Sequence, residues 1–131
     1  MAITPYFLVD NGHAAAAFYR EVMGAEPTFT RDNGKGGIAH MTLGSPAGPM
    51  MLADDGEWGK WSDLPRGPDS AVGWLAFLVD DVDATFEKAI QAGATPEVPP
   101  YDTAWGERYA RFRDPFGQLW AISPKPGSDA A

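Results

Sequence analysis

Cysteine is absent from the 131 residues. That excludes a disulfide framework, a thiolate nucleophile and any Cys-ligated metal. Histidine is scarce, with two residues, His13 and His40. No apolar run approaches the roughly 20 residues needed to span a bilayer. The stretch from Met1 to His13 lacks a basic region followed by a long apolar one. No signal peptide is therefore expected, no membrane partner, and a cytoplasmic location. Positive charge is also in short supply, 10 basic residues against 18 acidic, for a net charge of −8. That balance repels phosphates and argues against a nucleic-acid partner. It suits a neutral or cationic ligand, although its simplest effect is solubility.

What the chain does have is an internal repeat. Leu8 to Pro27 (LVDNGHAAAAFYREVMGAEP) and Leu78 to Pro96 (LVDDVDATFEKAIQAGATP) share a Leu-Val-Asp opening, an alanine-rich run and a Gly-Ala stop. Residues 3–9 and 73–79 have the apolar pattern of strands. Asp10 or Asn11, and Asp80 or Asp81, are placed to cap the helices that follow, because a short acceptor side chain satisfies free backbone N–H groups. Ala14, Ala15, Phe18 and Val22 form the expected apolar stripe of the first helix. Val82, Phe86, Ala89 and Ile90 form that of the second. Gly24 and Gly93 fall where a helix ends with positive φ. Three shorter strands should follow each helix, near 26–32, 37–43 and 49–53, then near 94–98, 107–113 and 118–123. Turn residues such as Asp114-Pro115-Phe116-Gly117 separate them. The fold class is therefore α+β, two βαβββ modules. Module one covers about 3–53, a linker loop 54–70, module two about 71–123, and a frayed tail 124–131.

This doubled βαβββ pattern resembles the vicinal oxygen chelate superfamily of glyoxalases, bleomycin resistance proteins and dioxygenases, within it the PhnB-like branch. The residues carrying the resemblance are Ile3-Thr4-Pro5-Tyr6, Ala17-Phe18-Tyr19, Met51-Leu52-Ala53-Asp54, Trp105-Gly106-Glu107-Arg108-Tyr109 and Asp114-Pro115-Phe116-Gly117-Gln118-Leu119-Trp120. The resemblance implies a curled mixed sheet around a cleft, helices on the convex side, and a homodimer. It also implies four metal-ligand positions, which map to Thr4, Met51, Trp74 and Ala121. A hydroxyl, a thioether, an indole and a methyl are poor replacements for imidazole and carboxylate. Shifting the alignment by one residue brings in no better donor. Where relatives often carry His after Asp-Pro-Phe-Gly, this chain has Gln118.

Neither a metal nor any other cofactor is therefore expected, and no catalytic residue stands out. His13 reads as a surface residue at a helix start. His40 is the best polar candidate for a pocket. Tyr6, Met51, Trp74 and Ala121 are expected to line the cleft, with Trp58, Trp61 and Trp105 on its rim beside Tyr101. Phe18, Phe77, Phe112 and Trp120 read as core. Asp54, Asp55 and Glu57 read as a solvated loop face. Arg108, Arg111 and Arg113 read as a salt network sharing one strand face, with Glu107 or Asp114 as partners. The expected function is metal-independent binding of a small aromatic or cationic molecule of the antibiotic-sequestering kind. The alternatives are a metal-dependent lyase, isomerase or dioxygenase, with His40 and Glu107 as the residues to examine, and a scaffold whose cleft is filled by its own side chains.

Overall fold

Each helix begins where an extended residue with a short acceptor side chain meets a run of good helix formers. The computed structural model, which describes residues 4–54 and 74–126, shows this in two units, each a βαβββ module. Asn11 accepts from the Ala14 amide ahead of α1 (Gly12–Met23), and Asp81 accepts from the Ala84 amide ahead of α2 (Val82–Gln91). Gly24 ends α1 in the left-handed region at φ 68°, a conformation that favours glycine.

In the first unit, β1 (Tyr6–Val9) precedes α1, and β2 (Glu26–Asp32), β3 (Ile38–Gly44) and β4 (Met50–Asp54) follow it. They make a four-stranded mixed sheet in the order β1-β4-β3-β2, with only β1 and β4 parallel. The second unit repeats this with β5 (Leu75–Val79), β6 (Thr95–Asp102), β7 (Arg108–Arg113) and β8 (Leu119–Pro124) in the order β5-β8-β7-β6. One face of each sheet carries its helix; the opposite face is called the open face below.

The core of each unit lies between helix and sheet. In the first it holds Val9, Phe18, Tyr19, Ile38, Met41, Leu43 and Leu52, and in the second Phe77, Val82, Phe86, Phe112, Trp120 and Ile122. Burying one such side chain contributes roughly 1.5–3 kcal/mol. Phe18, Phe77, Phe112 and Trp120 are thus core residues, as the sequence indicated. The stripe of α1 differs in phase from the expected one. Ala14 is exposed, and Gly12, Ala15, Phe18, Tyr19, Val22 and Met23 face inward. The reason is Tyr19, whose buried ring meets Phe18 edge-on at 5.6 Å and Phe7 at 5.9 Å, fixing the helix rotation.

Two other boundaries move. β6 runs on to Asp102 through Pro99 and Pro100, with register shifts at Pro96/Val98 and Val98/Tyr101. It is one of the two edge strands of its sheet, where proline can leave the ladder intact by turning its missing N–H outward. β8 runs to Pro124, and the Lys125 amide bonds the Val79 carbonyl at 2.9 Å, so the chain is still held at the first residues assigned to the tail.

Asp54 is not part of a solvated loop face. Its carboxylate accepts from the Gly12 amide at 2.7 Å, at the first turn of α1. Glycine is required at both neighbouring positions: a Cβ on Gly12 would meet Asp54 and Ile38, and one on Gly37 would meet Asp54 and Asn33. Asp55 and Glu57 lie outside the described residues.

Candidate ligand-binding faces

Strand parity sorts side chains between the helix face and the open face. In the first unit Phe7 and Val9 go to the helix, so Tyr6 and Leu8 go to the open face. Tyr6 is level with Met51, and Met51 with Thr42. A register shift at Ala39 keeps Ile38 on the helix side with Met41 and Leu43, and leaves His40 and Thr42 on the open side. His40 lies opposite Arg31, and Thr42 opposite Phe29, on β2.

The result is a polar and aromatic cluster. The Tyr6 hydroxyl and His40 Nδ1 are 2.8 Å apart, and His40 Nε2 and Thr42 Oγ1 are 3.0 Å apart. Phe29 lies 6.1 Å from the His40 ring, and the Arg31 guanidinium 6.0 Å from the Phe29 ring. Tyr6, His40 and Met51 thus share the open face; the side taken by His40 was open in the sequence. Phe29 and Arg31 were missed. Their signal was their place on the strand paired to β3, which a single-strand periodicity cannot show. His13 is exposed at the start of α1.

In the second unit the open face carries Trp74, Ala76 and Leu78 from β5 and the residue before it, Ala121 and Ser123 from β8, and Tyr109, Arg111 and Arg113 from β7. β6 adds Val98 and Tyr101. The Arg111 guanidinium lies over the Trp74 ring at 4.2 Å and 6.0 Å from the Tyr109 ring centroid, with Nη1 reaching the Tyr109 hydroxyl at 3.4 Å. Tyr109 also meets Tyr101 and Trp105 edge-on, each at 6.1 Å. Trp105 stands at the tip of the β6–β7 hairpin, which Thr103 and Glu107 close through three hydrogen bonds. Trp74 is 50% exposed and Trp105 64%.

The second unit therefore brings together Trp74, Trp105 and Tyr101. Ala121 behaves differently. It is buried and offers no surface of its own. It is the β8 partner of both Arg111 and Ala76, so the Arg111 side chain crosses β8 at its level on the way to Trp74, over a methyl that leaves room. Trp58 and Trp61 lie outside the described residues.

The three arginines of β7 do not share a face. Arg108 points to the helix side and pairs with Asp83 of α2 at 2.9 Å and with Asp102 at 3.2 Å. The hydrogen bond to Arg108 holds the Asp83 carboxyl below the usual carboxylate range, and Arg108 is correspondingly held charged. Arg113 pairs with Glu97 at 3.3 Å and donates to the Gly117 carbonyl. An odd spacing between residues 108 and 111 puts them on opposite faces of a strand. Glu107 and Asp114 partner none of them. Asp114 is a buried acceptor for the Phe116 and Gln118 amides and the Trp120 indole. Glu107 is exposed at the hairpin.

Among the described residues the donor set does not fit a divalent ion. The ligand positions that the resemblance implies would be Thr4 and Met51 in the first unit, and Trp74 and Ala121 in the second. An indole nitrogen is a donor only, and Ala121 has no heteroatom. The imidazole of His40 has both nitrogens in hydrogen bonds, to Tyr6 and Thr42. Among the described residues no three His, Asp or Glu side chains cluster in a way that would hold a metal.

Two βαβββ units of this kind define the class of fold. The Glyoxalase/Bleomycin resistance protein/Dioxygenase superfamily matches residues 4–122, and the chain belongs to that superfamily. An uncharacterized protein of Mycobacterium bovis, Mb0911c, is 32% identical over 123 residues, spanning 92% of this chain and 81% of its own length. A glyoxalase-related enzyme from Fulvimarina pelagi matches in structure with a TM-score of 0.75 at 18% identity, covering 100% of this chain and 95% of its own. The fosfomycin resistance protein FosX of Listeria monocytogenes matches with a TM-score of 0.71 at 15% identity, covering 95% and 93%. At those identities the structural matches speak to the fold alone. Among the described residues no helix is long and apolar enough to cross a membrane.

Proposed function

We propose that this chain binds a flat aromatic small molecule without using a metal, in the manner of a protein that sequesters its ligand. The observation that supports this reading is the stack on the open face of the second unit. Trp74, the Arg111 guanidinium and Tyr109 form a continuous layer, edged by Tyr101 and Trp105. Four of these five groups are aromatic, and Trp74, Tyr101 and Trp105 stay exposed. A soluble protein gains nothing in stability from leaving such surface in water. Aromatic contacts contribute about 0.5–1.5 kcal/mol each beyond area burial. Several of them, with the burial of the ligand itself, reach the roughly −8 kcal/mol of micromolar affinity. At the ligand positions that the resemblance implies in the second unit stand an indole and a methyl, which supports the same reading over a metal-dependent lyase, isomerase or dioxygenase.

The test is a titration with a panel of planar aromatic compounds, followed by tryptophan fluorescence. Saturable quenching by at least one compound is expected, together with its loss in Trp74→Ala and a weakening in Trp105→Ala. Neither variant should lower the unfolding midpoint appreciably, since both side chains are largely exposed. No saturable quenching across the panel would refute the proposal. So would stoichiometric Ni, Zn, Mn or Fe in protein purified without chelator.

A further inference from the structure

We infer that Arg111 anchors an anion, so that the molecule taken by the open face of the second unit is an aromatic anion, one that carries a carboxylate or a phosphate. This rests on the aromatic reading of that face and names the ligand class within it.

Most of the described arginines spend their charge on carboxylates. Five lie among the described residues: Arg20, Arg31, Arg108, Arg111 and Arg113. Arg20 pairs with Glu26, Arg108 with Asp83 and Asp102, and Arg113 with Glu97. In a chain with 18 acidic residues this is the ordinary outcome. Arg31 and Arg111 depart from it: Arg31 is exposed and only 6.0 Å from the Phe29 ring, whereas Arg111 is part-buried and seated at 4.2 Å over Trp74. The partners of Arg111 are the Trp74 ring and, through Nη1, the Tyr109 hydroxyl. Neither carries charge, so the positive charge of Arg111 is not neutralised by a neighbouring carboxylate among the described residues.

The stack also orients the group. A guanidinium is planar, with five N–H donors around its rim. With its carbon over the Trp74 ring and one nitrogen at the Tyr109 hydroxyl, the group is held at two points and further rim donors remain for a ligand. That planar fork matches the oxygens of a carboxylate or phosphate, and stacking on an aromatic ring costs it none of those donors. A flat ring lying against Trp105, Tyr101 and Tyr109 with an acidic substituent toward Arg111 uses both halves of the face.

The net charge of −8 would favour a cation on average. Exposed charges are screened beyond roughly 8–10 Å in physiological salt, so the group beside the ligand decides. A cationic ligand would meet Arg111 already seated on Trp74, the ring it would need for itself.

Three ligands of one shape separate the possibilities: naphthoate, naphthamide and naphthylmethylammonium, titrated by calorimetry. The wild-type chain should bind naphthoate about tenfold more tightly than naphthamide, as one charge-assisted contact predicts, and the ammonium most weakly. The advantage of naphthoate should shrink as salt is raised. Arg111→Gln should bring naphthoate and naphthamide to equal affinity, whereas Arg20→Gln should keep the preference. The wild-type comparison stands alone if Arg111→Gln fails to fold. Equal binding of naphthoate and naphthamide, or preference for the ammonium, overturns the anion anchor and leaves the aromatic reading intact. Binding of none of the three overturns both.

Discussion

Replacing Asp114 should be among the most damaging single changes to this chain, although the residue touches no candidate ligand face. Its side chain is buried between β7 and β8 and accepts three hydrogen bonds from described residues. The Phe116 and Gln118 amides bond Oδ1, each at 2.9 Å, and the Trp120 indole bonds Oδ2 at 2.8 Å. Trp120 is 4% exposed, so in Asp114→Ala its N–H has no water to turn to. Stranding that donor costs about 1–3 kcal/mol, and losing the two part-buried amide bonds costs about 1 kcal/mol each. The sum, about 3–5 kcal/mol, is a large share of the 5–15 kcal/mol that holds a typical domain folded. Asp114→Asn keeps an acceptor for the amides but sets an NH2 group against the indole, so it should cost about 1–3 kcal/mol. Urea unfolding followed by circular dichroism measures both. A cost below about 1 kcal/mol for Asp114→Ala would refute this account of the turn, as would an Asn variant no more stable than the Ala variant.

Three further outcomes follow from particular contacts. Gly12→Ala should destabilise, although alanine ordinarily favours a helix by about 1 kcal/mol. The new methyl would press on Asp54 and Ile38, and overpacking of that kind costs about 1–3 kcal/mol, read as a lowered urea midpoint. Phe112→Ala, at a fully buried position under α2, should cost about 3–5 kcal/mol by the same measurement. The Asp83–Arg108 pair should give a small stability gain with a definite pH dependence. Because the folded Asp83 carboxyl titrates below its ordinary range, that gain is complete above the ordinary carboxylate pKa and is lost as the pH falls through the lowered value. Thermal midpoints of wild type and Asp83→Asn should therefore differ slightly at neutral pH and converge in strong acid.

Much of the fold was legible because the repeat writes it twice. Leu-Val-Asp followed by an alanine-rich run marks a strand, a cap and a helix, and Asn11 and Asp81 take up that capping role. The phase of α1 was less legible, since a run of four alanines gives no contrast between faces and only the packing of Tyr19 decides it. Prolines hid the length of β6, because proline is tolerated on an edge strand and sequence does not say which strand is the edge.

The candidate site divides in the same way. Alternation along β3 left open which side His40 takes, and the pairing of β3 with β2 and β4 is what sets it beside Tyr6 and Met51. Arg111 did not stand out, because a basic residue in a strand looks like any other until the partners of its neighbours are known. Counting parity along β7 would have separated it from Arg108. Asp114 shows the converse. The Asp-Pro-Phe-Gly motif that carried part of the resemblance is here a turn closed by hydrogen bonds to the buried Asp114 carboxylate, a role in the fold.

The most direct measurement is the response of the indole N–H signals when naphthoate is titrated into nitrogen-15-labelled protein. The chain has five tryptophans. The account predicts saturable shifts at Trp74 and Trp105, with Trp120 unmoved in its core. Naphthoate that binds while both exposed indoles stay still would contradict it.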